Sequence, residues 1–186
     1  MIVKKVPSSK VKNKSASIRD LADYIREPHN QNPDEKVLYA NGRAFLCDDH
    51  AAQREEMVAL AAESVRSKNP VNHYVISWRE GEQPSPEQVE EAVSIFTEEL
   101  GLREHQAIYA LHKDTDNIHL HIAINRVHPE TLKAVKINNG FDIEAAHKAI
   151  ARIEHAQGWQ REQNGRYQVL ENGELGREHY DPDKPR

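Results

Sequence analysis

The chain has 186 residues, with 25 lysines and arginines against 30 aspartates and glutamates and a formal net charge of −5. That is the length of a single domain, and the charge excludes a generic polybasic nucleic-acid coat. No run approaches the ~18 apolar residues of a membrane span, the basic N-terminal stretch lacks the apolar core of a secretory signal, and the single cysteine, Cys47, cannot form an internal disulfide and points to a reducing compartment.

Charge is unevenly spread. Lys4, Lys5, Lys10, Lys12, Lys14 and Arg19 occupy the first nineteen residues without an acid, whereas residues 80–100 carry seven glutamates and no base. The first run suits a polyanion and the second repels one; each also reads as a plain solvated face.

In chain order, Ile2 to Val6 reads as a short strand closed by Pro7. A basic loop leads to a helix from Ser17 to about Glu27, with Ser17 and Asp20 at capping-box spacing and Ile18, Leu21, Ala22 and Ile25 on one face. Residues 37–46 read as a hairpin about Asn41-Gly42. Asp48 or Asp49 caps a helix to about Ser67, Val71 to Trp78 is a strand, and Ser85-Pro86 opens a helix that Gly101 stops. Gln106 to His112 and Asn117 to Val127 form an antiparallel pair. A helix from Asp142 ends at Gly158.

Beyond Gln160 the chain is polar, with a small hairpin expected about Asn172-Gly173 and a disordered end at 181–186. The expected organisation is one domain over residues 1–160 and a polar C-terminal extension over 161–186. The fold class is α+β, a central antiparallel sheet with helices packed on one face.

Strand periodicity puts His119 and His121 on one face and Ile118, Leu120, Ile122 and Ile124 on the other. The short connection brings His112 beside the first two, and small neighbours, Ala110 and Ala123, leave room for something bulky. Three convergent imidazoles without a fourth protein ligand describe a metal site with an open position. The alternative is three ordinary strand histidines. Asp114 orients an imidazole, moves a proton, or merely forms the turn. No His-Glu-x-x-His pattern of a metalloprotease is present. Such a metal suits a phosphoryl oxygen, and the basic N-terminal run suits a phosphate backbone. Tyr24 lies beside the apolar stripe of the first helix, where it either reaches solvent as a nucleophile or simply packs.

The run HKDTDNIHLHIAINRVHPET (112–131) resembles the third motif of the MOBP-family conjugative relaxases, within the HUH endonucleases, and among these the relaxase domains of IncP-type plasmid transfer proteins. The likeness extends to MIVKKVP, to DLADYI with its tyrosine, and to HYVISWREGEQPS (73–85), covering roughly residues 1–158. It implies an HUH relaxase or replication-initiator-like sheet fold and a nicking activity at an origin of transfer. In that activity Tyr24 attacks a DNA phosphate and leaves a religatable 5′-phosphotyrosyl link. His112, His119 and His121 match the cation-binding cluster, Asp114 the motif aspartate, and Ser77 a serine contacting DNA, with Lys10, Lys12, Lys14 and Arg19 as further DNA contacts. The cation is expected to be Mg2+ or Mn2+ in function, with Zn2+ or Ni2+ binding in vitro. Partners would be single-stranded or melted origin DNA, relaxosome accessory proteins and a type IV secretion coupling protein. The location would be the bacterial cytoplasm, with no membrane insertion and transfer alongside the DNA strand. Competing readings are a rolling-circle replication initiator, which usually places its tyrosine after the histidines, a water-using metal-dependent hydrolase, and a non-catalytic metal-stabilised DNA-binding module.

Overall fold

A computed structural model describes residues 1–8, 13–28, 34–114 and 118–178. Five strands, β1 (Ile2–Val6), β2 (Lys36–Arg43), β3 (Val71–Ser77), β4 (Ala107–Lys113) and β5 (Ile118–Asn125), make one sheet in the order β1-β3-β5-β4-β2, every pair antiparallel. Among the described residues four α-helices accompany it: α1 (Lys14–Arg26), α2 (His50–Glu63), α3 (Pro86–Glu99) and α4 (Asp142–Gln157). The α+β class and the central antiparallel sheet are as expected.

The expectation of helices on one face needs correction, because both faces are covered. On one face, Tyr74, Ile76, Leu111, Leu120, Ile122 and Ile124 pack with Phe96 of α3 and Ile150 and Ile153 of α4. On the other, Ile108, Ala110 and Ala123 pack with Ile18, Ala22 and Ile25 of α1 and Met57 and Ala61 of α2. Ala110 and Ala123 are the physical reason: with so little side chain above the sheet, two helices sit close upon it, and the space read as room for a ligand is filled by them. Burying a large apolar side chain such as Ile25 or Met57 is worth about 1.5–3 kcal/mol, so this second layer is a substantial part of the core.

Residues 36–43 form one unbroken strand rather than a hairpin, with Asn41 opposite Tyr109 and Gly42 opposite Ile108. Gly42 stands there for a tertiary reason. A Cβ would collide with the carboxamide of the buried Gln53, which donates to the Cys47 carbonyl and accepts from Arg26. The Asn41 amide instead reaches Glu90 of α3, which also accepts from the Tyr39 and Tyr109 hydroxyls. One glutamate of the acidic run is thus an internal anchor, and the run as a whole lies across the sheet from the histidines.

Helix α1 starts three residues before the expected Ser17, because Asn13 caps it by accepting from the Ala16 amide at 3.0 Å. Helix α2 is capped by Asp49 and stops at Glu63, and α3 has a full capping box between Ser85 and Gln88. Gly158, at φ 71°, ends α4 in the left-handed conformation that glycine adopts without strain. The expected C-terminal hairpin is present as β6 (Tyr167–Val169) and β7 (Leu175–Arg177). Arg166 and Tyr167 tie it to Glu144 of α4. The end at 181–186 lies outside the described residues. Among the described residues no helix is long and apolar enough to cross a membrane.

Candidate active site

The three histidines expected from the sequence stand on two adjacent inner strands. His112 of β4 is directly opposite His119 of β5, and His121 is opposite Ala110 on one side and Val75 on the other. Antiparallel pairing fixes their spacing, and the parity of β3 brings His73, Val75 and Ser77 to the same face. Tyr24 enters from above on α1. Its ring meets His121 edge-on at 5.4 Å between centroids, His112 at 6.0 Å and His73 at 6.5 Å. Tyr24 therefore meets imidazoles that lie 49 (His73), 88 (His112) and 97 (His121) residues further along the chain.

His112 is fully buried, and both its ring nitrogens face acceptors. Its Nε2 is 2.7 Å from the Ile25 carbonyl, and its Nδ1 is 2.7 Å from Glu35 Oε1. A carbonyl only accepts, so Nε2 carries a proton. A carboxylate also accepts, so the gap between Nδ1 and Glu35 requires a proton or a cation. His121 places Nε2 at 3.9 Å from the same Glu35 oxygen, and its Nδ1 is 3.1 Å from Nε2 of His73. Burial, then the charge of His112, lowers the His73 imidazole to about 4, and burial with the neighbouring imidazoles lowers His121 further. Both rings are therefore neutral at physiological pH, the form that ligates metals. Burial first, then the charges of Glu35 and Asp114, raises the Tyr24 hydroxyl above its ordinary value of 10.

Glu35, His112 and His121 are all buried, and one ligand atom from each lies within 4.8 Å of the other two. Two imidazoles and a carboxylate are a donor set that fits a divalent cation. His119 stands at the more open side of this group, its ring 6.5 Å from that of His121. Ser77 Oγ lies 2.9 Å from its Nδ1, and Asp114 Oδ2 lies 3.6 Å from its Nε2. Ser77 is the hydrogen-bond partner of one ring nitrogen, the arrangement that orients a ligating imidazole, and it leaves Nε2 without a hydrogen-bond partner among the described residues.

Of the basic residues, Lys14 donates to the Ser64 carbonyl and Arg19 pairs with Glu55 at 2.7 Å, so both engage α2. Lys10 and Lys12 lie outside the described residues. Glu35 and His73 had been missed. His73 was legible once β3 is paired with β5, since it shares the parity of Ser77. Glu35 precedes β2, and nothing in its local sequence marks it.

The family description "Relaxase: MobA/VirD2-like, nuclease domain" matches residues 24–159. The chain belongs to this family. It is 84% identical over 130 residues to Protein MobA of Acidithiobacillus ferrooxidans, covering 70% of this chain and 32% of that protein. It is 35% identical over 132 residues to a Protein TraI of Escherichia coli, covering 69% of this chain and 17% of that protein. The relaxase chain thus spans about a third or less of the curated relatives it matches. A solved structure titled "Molecular Basis of Vancomycin Resistance Transfer in Staphylococcus aureus" aligns at a TM-score of 0.43 and 14% identity, over 68% of this chain and 74% of that one.

Proposed function

We propose that this relaxase domain nicks one strand of DNA at an origin of transfer by transesterification, with Tyr24 as the nucleophile. The observation that carries the reading is the contact of the Tyr24 ring with His73, His112 and His121, next to the Glu35 carboxylate. A nucleophile and a cation-binding donor set meet there, in a family of nucleases.

In this reading the Tyr24 oxygen attacks phosphorus in line, the bond to the 3′-oxygen breaks, and a 5′-phosphotyrosyl link and a free 3′-hydroxyl result. The tyrosyl proton passes to a base in the site and the departing 3′-oxygen takes one up. The reverse attack by a 3′-hydroxyl reseals the strand and frees Tyr24, so no nucleotide cofactor is consumed. Glu35, His112 and His121 hold a divalent cation, with His119 completing the set on the open side. When bound, that cation supplies Lewis-acid stabilisation of a phosphoryl oxygen and offsets the negative charge that otherwise disfavours the phenolate. Mg2+ or Mn2+ is the working ion, while imidazole donors also take Zn2+ or Ni2+. His73, neutral and beside the Tyr24 ring, and Asp114, beside His119, are the groups placed to receive or relay the proton. Ser77 holds His119 in its orientation. Residues 1–160 form the nuclease unit, and 161–186 are a polar C-terminal extension to it. The substrate is single-stranded or melted DNA in a plasmid-mobilisation complex of the bacterial cytoplasm, with accessory proteins and a secretion coupling protein as partners.

The test is incubation with a single-stranded oligonucleotide library and Mn2+, followed by a denaturing gel for protein–DNA adducts. Tyr24→Phe should abolish the adduct while Mn2+ binding survives. An adduct that persists in Tyr24→Phe removes the nucleophile assignment, and no adduct with any strand removes the nicking reading.

A further inference from the structure

Beside the imidazole cluster, on the other flank of Tyr24, lies a cavity of about 360 Å3. It opens between the end of β1, one face of α1 and the loop entering β3. Tyr24 and His73 belong to its lining, so it is continuous with the site. The lining mixes apolar side chains, Pro7, Leu21 and Val71 among them, with polar ones that include Lys14 and Asn69. Hydrogen-bonding groups come from Ser17 and Asp20, one helical turn apart on α1. Lys68 also belongs to the lining and is exposed.

We infer that this cavity receives a single unstacked nucleobase of the strand being cut, from a nucleotide next to the scissile phosphate. The inference rests on the nicking reading above and adds a subsite to it. The argument is one of reach, shape and charge. A phosphate held between Tyr24 and the imidazoles has its neighbouring nucleosides within one nucleotide of either side, and the cavity begins at that distance. Its volume is at the lower end of the ~300–1,000 Å3 typical of ligand sites, which suits one ring system and excludes a base pair. Apolar side chains with a few placed polar groups are how splayed bases are held, and an imidazole offers a stacking surface. An exposed lysine in the lining suits the backbone phosphate on which the base hangs. The Asp20 carboxylate accepts and does not donate, so it favours the base edge that offers two adjacent donors, guanine N1–H and N2–H2, over thymine, which offers N3–H alone.

The experiment uses the whole chain and an oligonucleotide already shown to form the Tyr24 adduct. Each position within three nucleotides of the attachment point is replaced in turn by an abasic site, and binding is measured by fluorescence anisotropy. One position should show a loss of about tenfold, within the range of base–aromatic stacking. Ser17→Trp, which fills the cavity from a partly exposed helix position, should bind the parent and abasic strands equally. Thymine at that position should bind several-fold more weakly than guanine, and Asp20→Asn should narrow the difference without touching the walls. An adduct-forming protein with no abasic-sensitive position, or with the same abasic loss in Ser17→Trp and no change in base preference in Asp20→Asn, overturns the subsite and leaves the nicking reading intact. Failure of every strand to form an adduct overturns that reading and the subsite with it.

Discussion

Glu35 Oε1 lies 2.7 Å from His112 Nδ1, in the interior, although one residue precedes β2 and the other is near the end of β4. Removing that carboxylate leaves a buried imidazole nitrogen facing nothing of opposite charge. Glu35→Gln should therefore weaken Mn2+ binding by about 10–100-fold, the cost usual for losing a group that tunes a metal site, as measured by isothermal titration calorimetry. Affinity equal to wild type would mean that the carboxylate takes no part in holding the cation.

His73 touches both partners of the reaction, the Tyr24 ring and Nδ1 of His121. His73→Phe keeps an aromatic ring but loses the hydrogen bond that sets the His121 tautomer. Adduct formation under single-turnover conditions should slow by about tenfold or more. A rate within twofold of wild type would reduce His73 to packing.

The cation-free protein should weaken in acid for a traceable reason. The imidazoles of His73 and His121 are held below 6.5, chiefly by burial. The unfolded chain then binds more protons than the folded one as pH falls below 6.5. The stabilisation is complete well above 6.5 and is lost as pH drops through 6.5 toward about 4, the value of His73. Thermal melts in chelator should show the decline across this window, and His73→Asn should flatten it. An unchanged slope in the variant would place the acid sensitivity elsewhere.

Gly42→Ala should destabilise the fold by about 1–3 kcal/mol, the usual cost of forcing extra volume into a packed interior, because the new methyl displaces Gln53. Urea melts check this, and Mn2+ affinity should not change. A neutral effect would mean that Gln53 yields without penalty.

Replacing Glu87 and Glu98 by glutamine should leave adduct formation within twofold of wild type, since α3 packs on the sheet face opposite the imidazoles. Glu90 is excluded from that set because it anchors Tyr39 and Tyr109. A large rate gain or loss would bring DNA around to the acidic face.

The parts of this fold written in local periodicity were readable in advance. The alternation of β5 separated His119 and His121 from Ile118, Leu120 and Ile122, and the pairing with β4 followed from the short connection. Tyr24 was legible as a residue beside the stripe of α1, and its motif carried the rest. What escaped was tertiary. Asn41-Gly42 has the composition of a turn, but its glycine is required by the approach of a side chain from α2. That single misreading also hid Glu35. Once residues 36–43 are one strand beside β4, with Val37 opposite His112, the residue two before Val37 falls at the histidine end of the sheet. The covering of both faces was likewise invisible, because alanines at 110 and 123 suit a helix overhead as well as a vacant space.

The imidazoles and the tyrosine are aimed by different kinds of force. Strand ladders hold His73, His112, His119 and His121 at fixed spacings, whereas α1 is seated by apolar packing and tied to α2 besides by exposed ion pairs, Arg19 to Glu55 and Asp23 to Arg54. Ionic strength reaches exposed pairs and leaves buried backbone hydrogen bonds untouched. Rising salt therefore weakens these ties of the nucleophile's helix while its apolar seat and the donor set keep their shape, a vulnerability separate from any screening of the DNA itself.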